Sequence, residues 1–198
     1  MKVYLIRHGQ SEANMKNMHA GWRDSPLTPL GESQALLTRP LVEGIEFSRI
    51  YASDLSRAKR TAELIFGSRD MVLSESLREI NMEIISGISF SDLEKKYGSK
   101  YIEYRKRWDF SPFGCESVPH FLERAGKFFD ALEKESETLD KVAIVTHAGI
   151  IRALASRVIG VRFSDRYTLK IDNASVSVLE YLPDKGWRIE HWNYTPQI

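Results

Sequence analysis

The chain has 198 residues, of which 42% are hydrophobic and 28% charged, with a formal net charge of +1; this is the make-up of a globular chain of about one domain. So near a balance of charge gives no overall drive toward nucleic acid or an anionic membrane, and any positive field has to be local. No apolar run is long enough to span a bilayer, no signal-peptide pattern opens the chain, and Cys115 has no second cysteine to pair with, a combination that points to the cytoplasm.

The first element is the apolar run Val3-Tyr4-Leu5-Ile6, which reads as a buried strand closed by Arg7, His8 and Gly9, with Ser11 placed to cap a short helix. A turn-rich stretch then leads to a helical pattern beyond Leu30-Gly31 that Pro40 ends or kinks. "SRIYAS" reads as a second strand. "SDLSRAKRTAELIFG" reads as a helix with Ser53 as N-cap, Leu55, Ala58, Ala62 and Ile65 on one face and Gly67 at its end. A short strand near Met71–Leu73 precedes a less regular excursion with helical segments near Asp92–Tyr97 and Tyr101–Trp108, closed by "FSPFGCES". From Val118 to about Glu137, Leu122, Ala125, Phe129 and Leu132 recur at helical spacing. "KVAIVTHAGIIRALASRVIG" then repeats the opening logic of strand, histidine, small residues and helix, and "ASVSVLEYL" with "GWRIEHWNY" reads as a closing hairpin. The order predicts an α/β fold, a three-layer α/β/α sandwich about a mainly parallel central sheet. It is expected to form one domain over 1–198, with a helical excursion at about 80–117 covering the edge where ligands bind.

"VYLIRHG" and "VAIVTHAG" each end an apolar strand in a histidine followed by small residues and a helix, so in a parallel sheet His8 and His147 emerge on one edge. The helix carrying Arg57 in its first turn starts on that edge too. Arg7, Arg57, His8 and His147 beside several helix N-termini would repel one another in an empty site, and an anion, phosphate first among them, resolves the conflict. Attack on phosphorus needs an unprotonated nucleophile, and an imidazole qualifies when its other nitrogen is fixed on a backbone carbonyl; Gly9 leaves room for that at His8. The leaving alkoxide needs a proton, for which Glu79 in "SLREIN" is the candidate donor, although spacing alone does not separate it from a solvated loop glutamate.

At these residues the chain resembles the histidine phosphatase superfamily, also called the phosphoglycerate mutase-like family, nearly end to end. The likeness runs through "RHGQSEAN", "DSPLTPLGESQA", "SDLSRAKRTAE", "LREI", "GCES" and "VTHAGIIR" in that order. The resemblance implies that His8 is the phosphorylated nucleophile, that Glu79 is the proton donor, and that Arg7, Asn14, Arg57 and His147 bind the phosphoryl group. Ser11, Glu116 and the backbone N–H of Ala148 join them as substrate-binding groups, with Glu116 the next carboxyl in line for the acid role at the rim of the same pocket. Ser11 stands where threonine is frequent, and Cys115 and Ala148 where glycine is usual. The implied substrate is a small-molecule phosphate ester and no cofactor is expected.

Within the family, cofactor-dependent mutases carry a longer insertion with extra basic residues between the two glutamates, which favours a phosphatase here. A cysteine-based phosphatase would need an arginine where Phe121 stands. His8, His19, His120, His147 and His191 lack metal-ligand spacing, so no metal is expected, and His19, His120 and His191 read as surface or packing residues. A catalytically weak binding or regulatory member would have lost part of the set Arg7, His8, Arg57, Glu79 and His147, all of which is present. "KKYGSKYIEYRKRW" is the one segment with a nucleic-acid-binding pattern, and it reads better as a helix with solvated charges whose aromatic residues cover the sheet edge, so neither nucleic acid nor membrane is expected as a partner.

Overall fold

A computed structural model describes residues 1–196. Six strands form one sheet: β1 (Lys2–Arg7), β2 (Arg49–Ser53), β3 (Val72–Ser74), β4 (Lys141–Thr146), β5 (Val176–Leu182) and β6 (Gly186–Tyr194), in the order β3-β2-β4-β1-β5-β6. β1 to β4 run parallel, with Val3 opposite Val142 and Arg7 opposite Thr146, while β5 lies antiparallel against β1 and continues into β6 as a hairpin.

Period-two alternation along the strands sorts their side chains onto two faces. Val3, Leu5, Tyr51, Val142 and Ile144 enter one core, which Phe121, Ala125, Phe129 and Leu132 of α6 (Val118–Lys134) and Ile150, Ile151 and Leu154 of α7 (Ala148–Ile159) complete. Ile6, Ile50, Ala52, Ala143 and Val145 enter the other, against Ala35 of α2 (Pro29–Thr38) and Ala58, Ala62 and Ile65 of α3 (Ser56–Phe66). A sheet with an apolar core on each face is the expected three-layer sandwich.

Three details differ from the sequence reading. Ser53 does not cap α3; it is the buried last residue of β2, and the helix starts beyond it with Leu55 at the cap position. Its hydroxyl is engaged by His147 instead. On α6 the expected Ala125, Phe129 and Leu132 are buried, but the first turn buries Phe121 in place of Leu122, which is only half-buried. α2 begins at Pro29 under a Thr28 cap whose Oγ1 accepts from the Gly31 N–H at 3.1 Å.

Between β3 and α6 the chain runs through α4 (Phe90–Tyr97) and α5 (Ser99–Arg107). Tyr101 is fully buried, and Tyr97, Tyr104 and Trp108 pack on the core. Arg105 and Arg107 pair with Glu94 and Glu103 at 2.8 and 2.9 Å. The aromatic residues of this basic segment therefore face inward.

Candidate active site

β1 and β4 are hydrogen-bonded neighbours, so the histidines that follow them meet. The His8 N–H donates to the Thr146 carbonyl at 2.9 Å, and the two imidazoles lie edge to face with centroids 5.1 Å apart. His8 is buried and its Nδ1 sits 2.7 Å from its neighbour's carbonyl, Gly9 O. A carbonyl only accepts, so Nδ1 carries the hydrogen and Nε2 keeps the lone pair. Burial, reinforced by Arg57 and Arg7, holds the His8 pKa well below 6.5 and the ring neutral. The turn under it is clamped on α2: a Cβ on Gly9 would stand 2.2 Å from the Gly31 carbonyl oxygen, so the two backbones touch where neither residue has a side chain.

His147, at the start of α7, is wholly buried, with Nε2 2.9 Å from Ser53 Oγ. Its Nδ1 is buried and has no partner among the described residues, and burial with Arg57 nearby keeps this ring neutral as well. Arg7 Nη1 donates to the Ile171 carbonyl at 2.7 Å, and Arg57 Nη2 to the Gly21 carbonyl at 2.8 Å. Burial lowers both guanidinium pKa values to about 10, leaving both charged at neutral pH.

Glu79 approaches from the loop after β3. Its Oε1 accepts from the Ile80 N–H and its Oε2 from the Gly149 N–H in the first turn of α7, each at 3.0 Å. A Cβ on Gly149 would lie 1.9 Å from Oε1, so only glycine admits the carboxyl there. Arg7, His8, Asn14, Arg57, Glu79 and Ala148 line one cavity, and His147 stands behind it against His8. Asn14 Oδ1 accepts from the Ser11 N–H at 3.1 Å and from Asn173 Nδ2 at 3.2 Å, which leaves its NH2 for a ligand. The N–H of Ala148, as the first residue of α7, has no intrahelical partner.

Two expected substrate contacts are corrected. Ser11 does not line the cavity; fully buried, it forms a reciprocal cap with Asn14 at α1 (Glu12–Met15). Glu116 does not line it either, because its carboxylate is committed to the Asn81 N–H at 2.9 Å, Arg124 at 3.0 Å and His120 at 2.9 Å. His19 is buried among Phe90, Tyr101, Trp108 and Phe110, while His120 and His191 are exposed.

The two strand-end histidines, with Arg7 and Arg57 beside them, sit within a family match that runs across the chain. The model of the histidine phosphatase superfamily (branch 1) matches residues 3–195. The chain belongs to that family. It is similar to a 2-carboxy-D-arabinitol-1-phosphatase from Triticum aestivum, 31% identical over 98% of this chain, and it spans only 41% of that relative's length. It is equally similar, at 31% identity over 93% of this chain and 91% of the relative, to a 2,3-bisphosphoglycerate-dependent phosphoglycerate mutase from Parvibaculum lavamentivorans. The crystal structure of the α-ribazole phosphatase from Shigella flexneri superposes with a TM-score of 0.89 at 25% identity, covering 100% of this chain and 99% of that one. Relatives of this histidine phosphatase family member thus include phosphatases and mutases.

The cavity holds further residues that the sequence reading does not single out, chiefly Arg152, Arg166 and Trp108. Arg152 lies four residues after Ala148 on α7, and that helical spacing is a usable signal. Arg166 and Trp108 sit in a short irregular turn and at a helix end, where no periodicity marks them. Among the described residues no three His, Cys, Asp or Glu side chains gather as metal ligands, and no helix is long and apolar enough to cross a membrane.

Proposed function

We propose that this protein hydrolyses a small phosphate monoester through a phosphohistidine on His8, with Glu79 as the proton donor and without a metal ion. The observation that carries the reading is the state of His8: a neutral ring whose Nδ1–H is tied to the Gly9 carbonyl, beside a cavity lined by four guanidiniums and a carboxyl. In this reading Nε2 attacks phosphorus, the bond to the alcohol oxygen breaks, and that oxygen takes the proton held on Glu79. Water then attacks the phosphohistidine and passes a proton to Glu79, and the P–N bond breaks to release phosphate and the neutral imidazole. Arg7, Arg57, His147 Nδ1, the Asn14 NH2 and the Ala148 N–H stabilise the charge on the transferring oxygens.

A mutase would use the same steps but hold its product against water. The excursion contributes Met82, Phe90 and Trp108 to the cavity and none of its own basic residues, which favours hydrolysis, although Arg152 and Arg166 reach the cavity from α7 and the turn after it. The test is rapid quenching during turnover of a panel of monoesters that includes 2,3-bisphosphoglycerate. An acid-labile, base-stable phosphoprotein is expected, absent in His8→Ala; an adduct of the same size in that variant would overturn the reading. Because Arg7 and Arg57 already supply the positive charge that a metal would bring, full turnover is expected in excess chelator. A loss restored by a divalent ion would remove the metal-free part of the proposal.

A further inference from the structure

The stretch "DSPLTPLGESQA" has no part in the chemistry above, although it sets Thr28, Gly31 and Gln34 three residues apart, on one face at the start of α2. That face covers the turn after His8. The Thr28 N–H donates to the Gln10 carbonyl at 2.9 Å, and a Cβ on Gly31 would stand 2.0 Å from the same oxygen. Gln34 Oε1 accepts from the Gln10 N–H at 2.9 Å. Gln34 is half-buried and lies outside the catalytic cavity, so it does not reach the substrate.

The Gln10 N–H belongs to the same planar peptide as the Gly9 carbonyl, the group that holds His8 Nδ1 at 2.7 Å. A chain of hydrogen bonds therefore runs from His8 Nδ1–H to the Gly9 carbonyl and, through one rigid unit, from the Gln10 N–H to Gln34, each bond strengthening the next. Neither polar group of that peptide has another partner among the described residues. Its orientation decides the state of the ring. With the carbonyl toward the imidazole, Nδ1 holds the hydrogen and Nε2 the lone pair; turned over, the peptide would offer its N–H to Nδ1, move the hydrogen to Nε2 and leave nothing there to attack phosphorus. Gly9 has no Cβ to resist that turn. Thr61 Oγ1 holds the preceding peptide, accepting from the Gly9 N–H at 3.1 Å, and Thr28 holds the following one. Among the described side chains, Gln34 is what fixes the peptide between them from its N–H side.

We propose that Gln34 is a positioning residue for His8, holding the Gly9–Gln10 peptide so that the ring carries its hydrogen on Nδ1 and keeps the lone pair on Nε2. That this tautomer is the attacking one rests on the phosphatase reading; its dependence on Gln34 does not. Two variants separate the hydrogen bond from shape. Gln34→Glu keeps an acceptor of the same size, whereas Gln34→Met keeps length and helix propensity and has no oxygen. The tautomer is read from two-bond 1H–15N correlation spectra of protein labelled with 15N-histidine, the His8 signals being assigned by their loss in His8→Ala. The parent and Gln34→Glu should show one His8 form with the hydrogen on Nδ1, and Gln34→Met a mixture with the Nε2–H form. With 4-nitrophenyl phosphate under single-turnover conditions, Gln34→Met should release 4-nitrophenol about three- to tenfold more slowly than the parent, the worth of one hydrogen bond, and Gln34→Glu at the parent rate. The Kd for inorganic phosphate, which a distorted site would change, should stay within about twofold of the parent's in both variants. Gln34→Ala gives the same reading if the methionine variant does not fold. A parent ring with its hydrogen on Nε2, a single Nδ1–H form in Gln34→Met, or an equal loss of rate in Gln34→Glu would overturn the proposal. A tautomer that follows residue 34 in a protein that turns over no ester would sink the phosphatase reading and leave the positioning role standing.

Discussion

Glu79 is positioned by backbone and not by other side chains, and this makes its role separable by mutation. Glu79→Gln keeps the shape and removes the proton, so turnover of alkyl phosphates is expected to fall by roughly two to four orders of magnitude while aryl phosphates, whose leaving groups need little protonation, lose much less. Steady-state kinetics with glycerol 3-phosphate and 4-nitrophenyl phosphate read the difference, and equal losses would assign the acid elsewhere. Gly149→Ala offers an independent check. The added methyl would stand 1.9 Å from Glu79 Oε1 and has to displace it, so alkyl turnover should drop at least about a hundredfold, the low end of the range above. The melting temperature should hold or rise, since alanine is worth up to about 1 kcal/mol over glycine in a helix. His8, His147, Arg7 and Arg57 are legible in the sequence because each ends an apolar strand or opens a helix whose packing is visible as a pattern. Ser11 and Glu116 are misread for a physical reason: a hydroxyl that caps a helix and a carboxylate locked in an internal ion pair look, in sequence, like groups held ready for a ligand.

At the level of elements, the site depends on a brace that no pattern marks. Arg124, on α6, donates to the carbonyls of Ser76 at 3.0 Å, Arg78 at 2.9 Å and Glu79 at 3.2 Å, and pairs with Glu116, so one guanidinium ties the helix to the loop that carries Glu79. Trp22 adds a bond from Nε1 to the Glu79 carbonyl at 2.6 Å. Arg124→Met leaves Glu116 without its guanidinium partner and the Ser76 and Arg78 carbonyls without this donor, and should cost on the order of 3 kcal/mol in denaturant unfolding. It should also slow alkyl phosphates more than aryl ones, because Glu79 loses its anchorage. A variant as stable as the parent would show the brace to be dispensable. The helices and strands are readable from their periodicity, with a single α6 position, Leu122 for Phe121, misassigned. The excursion is read less sharply, since its short helices are specified by buried aromatic contacts among residues distant in sequence, such as His19 with Tyr101 at 2.8 Å.

For the whole molecule, three buried histidines set the response to acid. His8 and His147 are held neutral well below 6.5, and His19 is lowered to about 4, by burial in each case. Their folded pKa values lie below the unfolded one, so the unfolded chain binds more protons once the pH drops below about 6.5, and stability is lost from there downward. The melting temperature is expected to be flat above pH 7 and to fall steeply toward pH 5, with His19→Phe reducing the slope by about one proton; a slope unchanged by that replacement would contradict the assignment. The layered sheet is the most legible feature of the sequence, because apolar strands of period two and helices of period 3.6 repeat with little interruption. The pairing of β1 has a consequence for biosynthesis. β1 is made first but lies between β4 and β5, and β4 also separates it from β2. Neither β1 nor β2 has its central neighbour until residues near 146 have left the ribosome, so the segment bearing His8 waits unpaired until then, with its apolar run exposed to chaperones.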